Sequence, residues 1–320
     1  MFPAPTGGVA ISRLFKRLFT GLRGSSGTAS GVTLGAFGKH PAFDDHLEDP
    51  GLASPALVDA RRILYADAIR AIIDAGTWER LEPGQRLDGF DHTFLWSLTR
   101  ADDILLTGRL IPSRDAKGRD KYPLVLCAEI RSPGAPGAVP TAIRRLDALA
   151  EECATAQTRA DFVSAVDAAR ASASTILFLS EARPSAVEIV EGFRKAGADA
   201  EECFARCLYA LQRELSPVAN RQTASGTGHV RLPLPDGMAD APSLCGWLAI
   251  IRRWMPDLPG TLLIKPRTQP WIDALVPIPL PAQLACIRSA ASLVPLACDV
   301  PYNLDPRIIQ QARELASSLK

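Results

Sequence analysis

The densest reactive chemistry in the sequence is one short stretch holding His40, Asp44, Asp45, His46, Glu48 and Asp49, with Asp91 and His92 available from elsewhere. Carboxylates and imidazoles together are the ligands of hydrolytic zinc, manganese or iron centres, so a metal-dependent hydrolase is one reading. Its spacing argues otherwise. His40 and His46 are not one helical turn apart, and acidic residues ahead of a helix have a routine role, worth roughly 0.3–1 kcal/mol against the helix dipole. A capped, solvated loop is the simpler reading, with no metal and no catalytic residue.

Gly35 and Gly38 followed by Lys39 invite a phosphate-loop reading, which fails on spacing. A Walker loop needs G-x-x-x-x-G-K-[ST]; here His40 replaces the hydroxyl residue and Pro41 removes a backbone donor. A rigid turn is expected. Further along, Arg114, Lys117, Arg119 and Lys121 stand beside Asp115 and Asp120. Such a loop can grip an acidic partner or an anion, since arginine meets carboxylate or phosphate two-handed. It can also be a hairpin tip kept soluble by charge. No G-x-S-x-G elbow occurs, and no cysteine has a recognisable catalytic setting. The seven cysteines are irregularly spaced. Cys203 and Cys207 can share a helix face, but no second pair or nearby histidine completes a four-ligand site. Most read as small buried hydrophobes of a reducing compartment.

These residues need elements to place them. Val32 to Phe37 reads as a strand entering the Gly38–Pro41 turn, and Leu57 to Ile73 as a helix stopped near Gly76. Strands are expected at His92–Leu98, Ile104–Ile111 and Tyr122–Arg131, with Asp115 and Gly118 closing a turn between the last two. An antiparallel meander packed by the long helix follows. Pro133–Gly137 marks a boundary. Beyond it come helices over 141–215 with a short strand at Thr175–Leu179, a loop at Asn220–Gly228, and a strand at His229–Leu232. A helix at Leu244–Trp254, a strand at Thr261–Lys265 and a helix from Pro306 to Leu319 close the chain. Pro306 and Asn303 or Asp305 supply that last helix's entry chemistry. Trp247 and Trp254 share a helix face that suits a core, and Trp78 and Trp96 are assigned to the core likewise. The fold expected is mixed α/β (α+β), with an antiparallel-containing central sheet packed by helices in two subdomains, 32–132 and 138–320.

The string from Gly35 to Asp45 (Gly-Ala-Phe-Gly-Lys-His-Pro-Ala-Phe-Asp-Asp) resembles the opening signature of the TagF-like accessory proteins of type VI secretion systems. Ile111 to Leu124 resembles that family's second signature, a Pro-Ser, Asp, Gly-Arg and aromatic-Pro string between two strands, and the strand around Trp96 fits between them. The likeness covers residues 33 to 131. It departs at Asp45-His46, where the family usually has Asp-Phe, and at Gly118-Arg119, which stands one residue further from Tyr122-Pro123 and lengthens the loop. What the resemblance implies is a non-catalytic cytoplasmic accessory or regulator, contacting a forkhead-associated-domain protein and needing no cofactor. The contact residues it nominates are Lys39, Pro41, Asp44, Asp45, Arg114, Asp115, Arg119 and Tyr122.

Lys plus Arg total 36 against 35 acidic residues, so no basic excess marks a nucleic-acid binder. No apolar run reaches the roughly 18 residues of a membrane span. Leu14, Phe15, Leu18, Phe19 and Leu22 recur at helical spacing opposite Arg13, Lys16, Arg17 and Arg23. Residues 11–23 therefore read as a basic amphipathic helix, suited to an anionic membrane or a partner groove, or packed on its own domain. The Gly/Ser-rich segment 24–31 reads as its tether.

Overall fold

The computed structural model describes residues 30–98, 103–178, 186–195, 199–219 and 227–319. The expected amphipathic helix, its tether and most of the 220–228 loop lie outside these residues. Among the described residues, seven strands form one sheet: β1 (Gly31–Gly38), β2 (His92–Ser97), β3 (Ile104–Ile111), β4 (Leu124–Arg131), β5 (His229–Pro233), β6 (Thr261–Pro266) and β7 (Trp271–Leu275). Their order is β1-β4-β3-β2-β6-β7-β5, and every neighbouring pair is antiparallel.

Helices cover both faces of this sheet. The first, α1, runs continuously through Pro55–Ala60, a π-helical stretch Arg61–Ile69, and Arg70–Asp74. Ser54 caps it, its Oγ accepting from Leu57 N–H, and the widened turn shows in Arg70 N–H donating to Tyr65 O. On the opposite face lie α2 (Ala135–Thr155), α3 (Arg159–Ala171), the short α4 (Thr175–Phe178), α5 (Ala186–Lys195), α6 (Ala200–Ala219) and α7 (Asp240–Trp254). The short α8 (Pro281–Leu284) follows β7, and α9 (Pro306–Ser318) packs on α6. Strand alternation sorts the side chains. Leu34, Ala36, Leu124, Leu126, Ala128, Leu95, Leu105, Leu263 and Ile272 join the α2–α7 face, while Phe37, Trp96 and Asp273 point the other way.

Several expectations hold. The strands expected at 92–98, 104–111 and 229–232, and the helices expected at 244–254 and 306–319, are present within a few residues. Asp305 caps α9, its carboxylate accepting from Arg307 N–H at 2.9 Å. Trp78, Trp96 and Trp247 are buried, and Trp254 is partly buried against the core cluster that holds Trp247.

The boundary expected at Pro133–Gly137 does not separate two units. Pro136 sits in the first turn of α2, where the missing N–H costs nothing, and β2 pairs directly with β6 across the expected divide. Gly31–Lys320 is accordingly one compact unit. The strand expected at Thr175 is the helical turn α4, because both outer borders of the sheet are already occupied by the chain itself. At β1, Ala36 N–H donates to Pro50 O (2.9 Å) and Leu47 N–H to Gly38 O (2.8 Å); at β5, Ala297 N–H donates to Arg231 O (2.8 Å). Strand β7 was not expected from the sequence pattern.

Candidate functional site

The two signature segments meet at the β1 exit. Gly38 has φ +110°, and a Cβ there would run into the Pro123 carbonyl, so only glycine lets the turn lie this close to β4. Lys39 N–H donates to Pro123 O at 3.2 Å, Ser113 Oγ to Lys39 O at 2.7 Å, and Ala116 N–H to Phe43 O at 2.9 Å. Beneath these backbone ties lies an ion pair, Lys39 Nζ to Asp115 Oδ2 at 2.6 Å, with both side chains sealed from solvent.

Asp115 organises the rest of its loop. Its Oδ1 accepts from Lys117 and Arg119 N–H, each at 3.0 Å, and its Oδ2 accepts from Arg119 Nε at 2.6 Å. Gly118 N–H closes the turn onto Asp115 O, with Gly118 at φ +77°. Arg119 then reaches back across the other segment, donating through Nη2 to Asp44 O and Asp45 Oδ1, both at 3.1 Å. Burial works to raise the Asp115 carboxyl, but the hydrogen bonds from Lys39 and Arg119 outweigh it and hold it well below the usual carboxylate range. The Asp45 carboxyl is also lowered, first by the hydrogen bond from His46 and then by the charges of His46, Arg119 and Lys39.

An aromatic group closes the other side. Lys39 Nζ lies 5.0 Å from the Tyr122 ring centroid, Tyr122 OH donates to Asp74 Oδ1 at 2.9 Å, and His46 packs edge-on against Tyr65 (5.6 Å) and Tyr122 (5.4 Å). His46 therefore does aromatic packing at the position where the resemblance has Phe.

The eight nominated residues thus fall into two groups. Lys39 and Asp115 are internal supports and cannot themselves touch a partner. Pro41, Asp44, Asp45, Arg114 and Arg119 are exposed and Tyr122 is half-buried, so these form the outer surface. Arg114 and Lys117 carry no ion pair among the described residues.

The carboxylates and imidazoles weighed as a metal site do not converge. His40 uses both ring nitrogens internally: Nε2 donates to Cys153 O at 2.8 Å and Nδ1 accepts from Ala42 N–H at 3.1 Å. His92 is buried elsewhere, its Nε2 donating to Ile287 O. Glu48 pairs with Arg159, Asp49 with Arg61, and Asp91 with Arg109. Among the described residues, His229, Asp273 and Cys286 do bring ligand atoms within 4.8 Å of one another. A guanidinium already occupies that place, however, since Arg231 binds Asp273 through Nε (2.8 Å) and Nη2 (3.0 Å) and also donates to Cys286 O and Val294 O. Sequence reasoning missed this clamp; its only signal was an arginine and an aspartate set in apolar strands.

A concavity of about 950 Å³ lies between α2, α7 and the β6–β7 turn, lined by Arg144, Asp147, Asp240, Lys265 and Arg267 among others. Lys265 lines it and stands in register with Thr93, which in turn pairs with Arg109. Asp240 bonds Lys265 (2.8 Å) and Arg267 (3.3 Å), and Asp147 pairs with Arg109 and Arg267. None of the nominated residues lines it.

No protein-family model matches the sequence, and no characterised protein matches it significantly. Among solved structures, part of the chain superposes on the crystal structure of PA0076 from Pseudomonas aeruginosa PAO1, with a TM-score of 0.29 and 16% identity. That alignment covers 45% of this chain and 62% of the other. Among the described residues, no helix is long and apolar enough to cross a membrane.

Proposed function

We propose that the protein is a non-enzymatic accessory or regulatory component of a type VI-like secretion system, acting in the cytoplasm by binding another protein. The reading rests on the TagF-like signatures at residues 35–45 and 111–124. One observation carries it furthest: those signatures, far apart in sequence, are joined by the sealed Lys39–Asp115 pair, which fixes Arg119, Asp44 and Asp45 on a single surface. An ion pair of this kind holds a surface in place for a partner to meet. The partner that the resemblance points to is a forkhead-associated-domain protein of the same apparatus.

The test is binding of the purified chain to that protein by calorimetry. Arg114→Glu with Lys117→Glu reverses two exposed charges that hold no ion pair among the described residues. The double variant is expected to weaken binding by roughly tenfold or more while the melting temperature stays within about 1 °C. Unchanged affinity would remove this loop from the contact surface, and absence of any binding by the unaltered chain would remove the partner.

A further inference from the structure

The charges lining the concavity between α2, α7 and the β6–β7 turn are unevenly matched. Lys265 is buried there, its side chain 5% exposed, and an ammonium carries three N–H donors. Among the described residues it has one acceptor, Asp240 Oδ1 at 2.8 Å. The other Asp240 oxygen is already shared by Thr93 Oγ1 and Arg267 Nε. Arg267 reaches its carboxylates at long range, 3.3 Å to Asp240 and 3.4 Å to Asp147, and its Nη2 has no acceptor among the described residues. Arg109 draws on the same Asp147 oxygen as Arg267. It too is buried, and its Nε lacks any acceptor among the described residues. Burial first, and then the charge of Arg267, lowers the Arg109 guanidinium.

N–H groups of buried cations are costly to leave without acceptors. Here the surplus donors of Lys265 and Arg267 border an open space of about 950 Å³, which suits a metabolite. Arg144, one turn before Asp147 on α2, adds another positive charge to the lining. Ala239 gives α7 no side-chain cap, so the positive end of that helix stands uncovered beside the same space. The rest of the lining is of two kinds. Ile143, Leu234 and Met238 are apolar, whereas Glu188 and Asp236 are exposed carboxylates with no partner among the described residues.

We propose that this concavity binds a small phosphate monoester. The phosphate accepts the spare N–H groups of Lys265 and Arg267, the organic body lies on Ile143, Leu234 and Met238, and hydroxyl groups of the ligand donate to Glu188 and Asp236. A phosphate fits better than a carboxylate, since its three free oxygens and near-double charge answer more of the unmatched donors. The site is independent of the Lys39–Asp115 surface, which contributes none of its lining.

The experiment titrates the full chain at low ionic strength by calorimetry, with inorganic phosphate and with adenosine monophosphate. The nucleotide carries a phosphate, vicinal hydroxyls and a flat apolar base. Both probes should bind, the nucleotide roughly tenfold or more tightly than phosphate. Lys265→Met should weaken both by roughly tenfold or more, as the loss of a charge-assisted hydrogen bond requires. Arg267→Gln, at a partly exposed position, should weaken both in the same way. Glu188→Ala with Asp236→Ala should weaken the nucleotide and leave phosphate binding no weaker than before. Circular dichroism checks that each variant folds. Failure of both probes to bind, or unchanged binding in Lys265→Met and Arg267→Gln, would overturn the proposal. So would equally tight binding of succinate, or tighter binding of a phosphoserine peptide, which would make the concavity a docking site for a modified protein.

Discussion

Replacing Asp273 by Asn tests whether the sheet is a single cooperative structure. The perturbation keeps the side chain's shape and removes its charge, leaving the Arg231 guanidinium wholly buried without a counter-ion. Arg231 would retain its bonds to Cys286 O and Val294 O and its stacking over Trp271 at 4.6 Å, none of which neutralises it. Breaking one side of a buried pair costs about 3–5 kcal/mol. Unfolding entropy is about 2.1 cal/mol/K per residue, so a chain of 320 residues should lose roughly 4–7 °C of melting temperature. Urea unfolding followed by tryptophan fluorescence should show one transition, displaced as a whole, because β2 and β6 tie the two ends of the sheet together. Replacing both partners, Arg231→Met with Asp273→Leu, should recover most of the loss. Burial raises the Asp273 carboxyl, but hydrogen bonds and charge from His229 and Arg231 outweigh it and hold it below its ordinary value. Its contribution is therefore present above about pH 4 and disappears as pH falls through the lowered native value. A loss under about 1 kcal/mol, or a separate transition confined to residues after 135, would refute the reasoning.

Two further outcomes follow from local geometry. Gly38→Ala forces a side chain into both a left-handed φ and the Pro123 carbonyl, and should cost at least roughly 1–3 kcal/mol in urea midpoint measurements. Gly118→Ala, also left-handed but open to solvent, should cost less; equal losses would mean the close approach of the two segments is unimportant. His92 is fully buried, and desolvation lowers it from 6.5 to about 4. Between those values the unfolded chain binds a proton that the native one does not, so stability should fall by roughly 1.4 kcal/mol per unit as pH drops through this window. His92→Gln should flatten that slope; an unchanged slope would assign it to other groups.

The strands β2 and β3 were legible because each is a short β-branched or aromatic run between turn residues, and α9 was legible from Asp305 and Pro306. The shared sheet was not, because nothing local to His92–Ser97 or Thr261–Pro266 records that they pair. Strand β7 sits between Pro270 and Pro277, and that punctuation reads as loop. For the site, the two segments were visible but their roles were not. A lysine following a glycine turn looks like a surface charge, and only the Asp115 carboxylate, distant in sequence, makes its burial tolerable. The Arg231–Asp273 clamp is the same case: a pair of charges, each unfavourable alone in an apolar strand, that makes sense only once the strands are neighbours.

The backbone bonds from Ala36 to Pro50 and from Leu47 to Gly38 give the acidic segment a second duty. Left bare, an eight-residue border strand such as β1 would offer a ready template to any extended chain that came near. The stretch displaying Asp44 and Asp45 fences off that template, so whatever docks there has to accept the two aspartates where they stand. Prying that stretch loose would bare a template for aggregation.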